Sequence, residues 1–184
     1  MKAIGILKEE HRAIEYLLGA LEFQAARLPT DAPIRIEFFL DAAVFLREFV
    51  EDRHQRKEED TILVALVDAG LVRDGGPIAE VLAAHAKSQE LVREIEKQAR
   101  IVLGGGTSAR TELARDAVEY VTLLTQHIHQ EDEKVFPLAD TMIPMGIQDE
   151  LDAYFDRVES AYVEAGLHDK YYGLAEKLAI EAAS

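Results

Sequence analysis

The order of apolar and polar positions divides the chain into amphipathic helices. Phe38, Ala42, Phe45 and Phe49 recur at three- and four-residue intervals, and Val121, Leu124 and Ile128 do the same further on. That rhythm is the buried stripe of a helix, in which residues three and four apart share one face. Period-two runs of Val, Ile, Thr and aromatic residues bounded by turn residues, the mark of strands, are almost absent. The breaks are equally legible. A first helix is predicted from about Ala3 to Leu28, where Pro29 stops it. Asp31 is placed to cap a second, with Pro33 tolerated in its first turn, running to about Ala69. Gly70 and Gly75-Gly76-Pro77 mark the next break, and a third helix is expected over roughly Ile78 to Leu103, ending at Gly104-Gly105-Gly106. Thr107 or Ser108 opens a fourth that reaches Pro137, where a kink or a terminus is expected. Two shorter amphipathic helices, about Gln148 to Ala165 and Asp169 to Ala182, flank Gly166.

Four long helices with short connections pack as antiparallel neighbours. The expected fold is all-α: an up-down-up-down four-helix bundle over about residues 3–143, with a C-terminal helical extension over about 147–182. The 184 residues suit a single domain with a sizeable core.

Composition and charge remove several function classes. There is no cysteine, hence no disulfide framework, no cysteine-based zinc finger, no ordinary iron–sulfur cluster and no thiol catalysis. A net charge of −15 argues against binding nucleic acid or anionic membranes through a basic surface. The N-terminal segment mixes charges into its apolar positions, so neither a signal peptide nor a membrane span is expected there, and a soluble cytoplasmic protein is the default.

The candidate chemistry lies in the histidines. Of the six, His54 and His127 each begin a His-x-x-x-Glu pattern, ending at Glu58 and Glu131. Residues four apart lie one turn apart on one helix face, so imidazole and carboxylate can converge on one ion or on two adjacent ions. One such pair alone, in a chain rich in Glu, is as well read as a solvated contact. Spacing changes that reading. His11 precedes His54 by 43 residues and His85 precedes His127 by 42. A shift of 73 or 74 residues superposes His11 on His85, His54 on His127, and Glu58-Glu59-Asp60 on Glu131-Asp132-Glu133. A duplicated hairpin explains a repeat; it does not explain polar, ligand-type residues at corresponding positions. At a rise of ~1.5 Å per residue, each hairpin also brings its two histidines to nearly the same height. Four imidazoles and two carboxylates inside an apolar bundle are costly unless compensated, and a pair of metal ions compensates them. Mixed imidazole and carboxylate ligation suits iron, and also manganese or zinc.

These residues resemble the hemerythrin HHE cation-binding family. The matching features are Glu10-His11, Asp52-Arg53-His54 with Glu58-Glu59, His85, His127-Ile128 with Glu131, and Val135-Phe136-Pro137, over roughly residues 3 to 140. The tail through Tyr172-Gly173-Leu174-Ala175 is similar to the usual extension. The resemblance implies one iron near His11 and His54, a second near His85 and His127, and Glu58 and Glu131 as bridging carboxylates. An oxo, hydroxo or water ligand would complete the centre and leave a position for oxygen, peroxide or nitric oxide. Oxygen-carrying members have a further histidine where this chain has Gln89, and an aspartate where it has Asp132; bacterial relatives favour the glutamate equivalent to Glu131. Gln55 replaces a histidine common in relatives and is expected to turn away from the face of His54. With one histidine fewer than the oxygen carriers, reversible oxygen transport is disfavoured and oxidation chemistry or sensing is favoured.

The expected function is therefore a non-haem di-iron protein that binds or senses a diatomic ligand or peroxide. The alternatives are a peroxidase- or oxidase-type enzyme at the same centre, or iron handling and storage. Repair of iron centres in other proteins is disfavoured, because the relatives that do it carry a cysteine-bearing segment. A monomer and a dimer through the C-terminal helices are equally compatible with the sequence, and no protein partner is legible. His129 and His168 are expected at the surface, Tyr120 in the core, and Glu59, Asp60 and Glu133 on a solvated acidic edge. Glu10 and Glu15 are open between surface and support of His11.

Overall fold

The computed structural model describes residues 1–30 and 32–183. It is all-α, with no strand among the described residues. Six helices follow in order. Helix α1 spans Lys2–Arg27. Helix α2 is built from four consecutive pieces, Glu37–Phe45, Leu46–Gln55, Glu58–Ile62 and Leu63–Asp68. Helix α3 is Gly76–Leu103, and α4 runs through Ala109–Gln130, Glu131–Val135 and Phe136–Met142. Helices α5 (Met145–Glu164) and α6 (Leu167–Ala182) form the extension, joined at Gly166, whose φ of 68° is one that only glycine takes readily. In the bundle α2 packs on α3, α3 on α4 and α4 on α1, while α6 lies against α1 and α2. Among the described residues no helix is long and apolar enough to cross a membrane.

One expectation is corrected. The second helix starts at Glu37, not directly after Pro33. Pro33 holds the residue before it out of the helical region, and tertiary contacts secure the extended segment. Arg27 donates to the Pro33 carbonyl at 3.2 Å, and Arg35 pairs with Asp41 and with Glu181 of α6. The proposed Asp31 cap lies outside the described residues. Pro137, where a kink or a terminus is expected, stands at the start of the α-helical segment Phe136–Met142. It sits in the first turn after Glu131–Val135, a stretch of wide i→i+5 turns that accommodates a residue without an N–H. No side-chain cap forms at Ser108 either.

Wide turns also occupy Leu46–Gln55 and Glu58–Ile62 in α2. They reset the register of the inward stripe. Phe49 and His54, five residues apart, are both buried; an α-helix would point them to different faces, an i→i+5 helix to nearly the same one. Among the described residues the core forms two apolar clusters. One contains Ile14, Phe45, Phe49, Leu91 and Leu124; the other contains Leu7, Ile62, Val81, Val135 and Phe155. Between them lies a polar layer.

The extension closes that second cluster. Asp152 of α5 accepts hydrogen bonds from the backbone N–H groups of Lys2 (3.0 Å) and Ala3 (2.8 Å). It thus satisfies the first turn of α1, a role usually taken by a residue at the helix's own start.

Candidate metal centre

Each long helix contributes one histidine to the polar layer, and α2 and α4 each add a glutamate. His11 lies sixteen residues before Arg27 and His54 seventeen after Glu37, which puts them level in antiparallel helices. His11, His54, Glu58, His85, His127 and Glu131 are each at most 4% exposed. All six residues singled out in the sequence are brought together. They form two overlapping groups, His11, His54, Glu58 and Glu131, and His85, His127, Glu58 and Glu131, with donor atoms within 4.8 Å of one another in each.

The Nε2 atoms point inward. His54 Nε2 lies 3.4 Å from Glu58 Oε1 and His85 Nε2 3.4 Å from Glu58 Oε2, so the two oxygens of one carboxylate face opposite halves. Glu131 Oε2 is 3.3 Å from His11 Nε2 and 3.2 Å from His127 Nε2. These contacts are close but not directed as hydrogen bonds. His11 Nε2, His54 Nε2 and all four oxygens of Glu58 and Glu131 are buried without a hydrogen-bond partner. His85 Nε2 and His127 Nε2 face each other at 3.2 Å. Donor atoms so arranged crowd into two shared spaces, and burial of those left without a partner is expensive without a cation. The donor set fits metal ions.

Three of the four Nδ1 atoms end on a carboxylate. His11 Nδ1 is 3.0 Å from Asp132, His54 Nδ1 2.9 Å from Glu10 and His85 Nδ1 2.7 Å from Glu59. An imidazole whose Nδ1–H is held in this way presents Nε2 as the free donor. His127 Nδ1 has no partner. Phe136 stacks on the His11 ring with centroids 5.5 Å apart.

Without a cation the layer is electrostatically frustrated. Burial disfavours charge on His11 and His85, yet the carboxylates around each outweigh it and raise both to about 9. Burial and the nearby His85 push His127 down to about 3. Glu58 and Glu131 compete. Burial raises both, but the surrounding imidazoles draw Glu58 below the usual carboxylate range, and the charge on Glu58 pushes Glu131 above it. Glu10 is drawn down to about 2, because His54, Lys57 and Arg53 overcome its burial.

The supporting carboxylates were the part sequence reasoning missed. Glu59, expected on a solvated edge, backs His85; Asp132, weighed as a rival to Glu131, sits outside the layer against His11 and Arg12. Their signal was the repeat, which aligns Glu59 with Asp132. Glu10 supports His54 and not its neighbour His11, whereas Glu15 pairs with Arg12. Gln55 is buried but donates to Ser88 Oγ at 3.0 Å, and Gln89 is half-buried outside the cluster. His129 and Glu133 are exposed. His168, part-exposed, lies in the first turn of α6 and stacks on Tyr172. Tyr120 is fully buried in the apolar core, its hydroxyl without a partner.

The chain belongs to the hemerythrin family: the hemerythrin HHE cation-binding domain matches residues 2–139, and the helical bundle with its buried layer of His and Glu accords with that match. Among its relatives are an uncharacterized protein of Mycobacterium bovis and one of Mycobacterium tuberculosis. Each is 27% identical over 179 residues, covering 95% of this chain and 69% of the relative. No solved structure matches the chain at a significant level.

Proposed function

We propose that this is a non-haem di-iron protein whose centre binds or senses a small oxidant or diatomic ligand: oxygen, peroxide or nitric oxide. His11 and His54 would hold one iron, His85 and His127 the other, with Glu58 and Glu131 serving both. The observation that carries this reading is the pair of four-residue groups that share those two glutamates, with Nε2 of His11 and His54 and all four glutamate oxygens finding no hydrogen-bond partner in the protein. Bound iron supplies one-electron redox steps and Lewis-acid positions.

The chain's own residues do the rest. Asp132, Glu10 and Glu59 would hold the Nδ1–H of their histidines and so aim Nε2 into the layer, where a bound cation would take the place of its proton, and the apolar clusters above and below exclude water. Imidazole with carboxylate suits iron and also admits manganese or zinc.

Metal analysis of protein produced in iron-supplied medium, with an absorption spectrum from the near-ultraviolet through the visible, tests the proposal. Two irons per chain with charge-transfer bands are expected. Absence of iron, or one ion indifferent to His54→Ala and Glu131→Ala, would overturn it.

A further inference from the structure

The family match ends at residue 139, yet a side chain from beyond it reaches the support of the metal layer. Glu10, 2% exposed, receives three cationic or imidazole contacts: His54 Nδ1 at 2.9 Å, Lys57 Nζ at 2.5 Å and Arg53 Nε at 3.1 Å. Lys57 is itself only 5% exposed. Both cations turn their remaining donors to Glu159 of α5, Lys57 at 2.9 Å and Arg53 at 2.5 Å. Arg53 also lies flat on Tyr162, its guanidinium carbon 3.3 Å from the ring centroid, and Lys57 sits over Phe155. Thus two carboxylates, one from α1 and one from α5, clamp the same two cations from opposite sides.

We infer that Glu159 is a positioning residue for the metal centre. Acting through Lys57, Arg53 and Glu10, it sets the orientation and donor strength of His54, so that docking of α5 tunes one of the two metal positions and not the other. The inference rests on the di-iron reading. The physical reasons are two. A buried Lys with two acceptors holds its ammonium in one place, and so fixes the carboxylate that orients the imidazole. If Glu159 is removed, both cations swing fully onto Glu10, which draws that carboxylate away from His54 Nδ1 and makes it a weaker acceptor.

The second half has no such device. Under the repeat, Glu10 corresponds to Ala84, Arg53 to Gln126 and Lys57 to Gln130. Gln130 instead donates to Glu80 at the surface.

The test is anaerobic titration of the metal-free protein with Fe(II) against a chromophoric chelator, on two backgrounds. His127→Ala isolates the position built on His11 and His54, and His54→Ala isolates the position built on His85 and His127. Adding Glu159→Gln to the first is expected to weaken Fe(II) binding about tenfold, the lower end of what loss of an outer-shell partner causes in metal sites. Added to the second, it should change nothing. Glu164→Gln, an exposed acid on the same helix, should leave both as they were. Equal affinities with and without Glu159→Gln on the first background would overturn the inference. So would parallel weakening on both backgrounds with a lowered melting temperature of the metal-free protein, which would mark a purely structural role. Failure of the unaltered protein to bind Fe(II) would instead sink the di-iron reading itself.

Discussion

In the first hairpin, α1 with α2, both histidines rest their Nδ1 atoms on carboxylates; in the second, α3 with α4, only one does. Part of the support is reciprocal. Glu59 of the first hairpin backs His85 of the second, and Asp132 of the second backs His11 of the first. These two acids occupy the same position in the repeat, directly after the inward glutamate. Both inward glutamates also open a stretch of wide turns, Glu58–Ile62 and Glu131–Val135. The symmetry breaks at Glu10. Its counterpart is Ala84, which has no acceptor to offer, and His127 Nδ1 is left bare. The comparison teaches that the inward donors and the two reciprocal acids are common to both halves, whereas the support of the second histidine is not. Two positions with similar inner ligands then differ in basicity, because an imidazole hydrogen-bonded to a carboxylate is the stronger donor.

The comparison can be broken most completely at the residues the halves share. Glu58→Ala should abolish tight binding of both metal equivalents, whereas His127→Ala should remove one; metal content after gel filtration distinguishes them. Next come the reciprocal acids. Asp132→Asn should weaken the position containing His11, and Glu59→Gln the one containing His85, each by about tenfold or more. Paired Fe(II) titrations would show crossed effects, and loss in the same hairpin as the substitution would refute the reciprocity. Ala84→Glu sharpens the contrast by supplying the missing acid. If the repeat is faithful, the second position should tighten severalfold and the first should not move, as read by the same titration.

The smallest effect concerns Glu51, another acid without an equivalent, since the repeat places Leu124 there. Burial, with Asp52 adjacent, pushes its carboxyl up to about 7 despite Arg93 and Arg47. The folded chain therefore holds a proton there that the unfolded chain has released between the ordinary 4.5 and about 7. Stability is favoured below that window and lost as pH rises through 7. Glu51→Gln should stabilise the metal-free protein by about 1 kcal/mol at pH 8, allowing for the partial exposure of the group, and give no gain near pH 4. Thermal or urea unfolding at the two pH values checks it. A gain of equal size at both would place the cause in packing.

Much of this was readable before any coordinates. Helix number, the breaks at Gly70, Gly104 to Gly106 and Gly166, and the convergence of His11, His54, Glu58, His85, His127 and Glu131 follow from local rules. Apolar periodicity, glycine's backbone freedom, four-residue spacing and equal distance from a loop each concern residues near one another in the chain. What tertiary structure alone decided involves partners far apart. Glu10 reaches His54 across 44 residues, Asp132 reaches His11 across 121, and Glu159 reaches Lys57 across 102. Which acid meets which Nδ1 depends on how each helix is rotated about its axis. That rotation is set by the packing of neighbouring faces and by the wide turns of α2 and α4, and no local pattern encodes it. The late start of α2 has the same origin, because the segment before it is tied to α6 by Arg35.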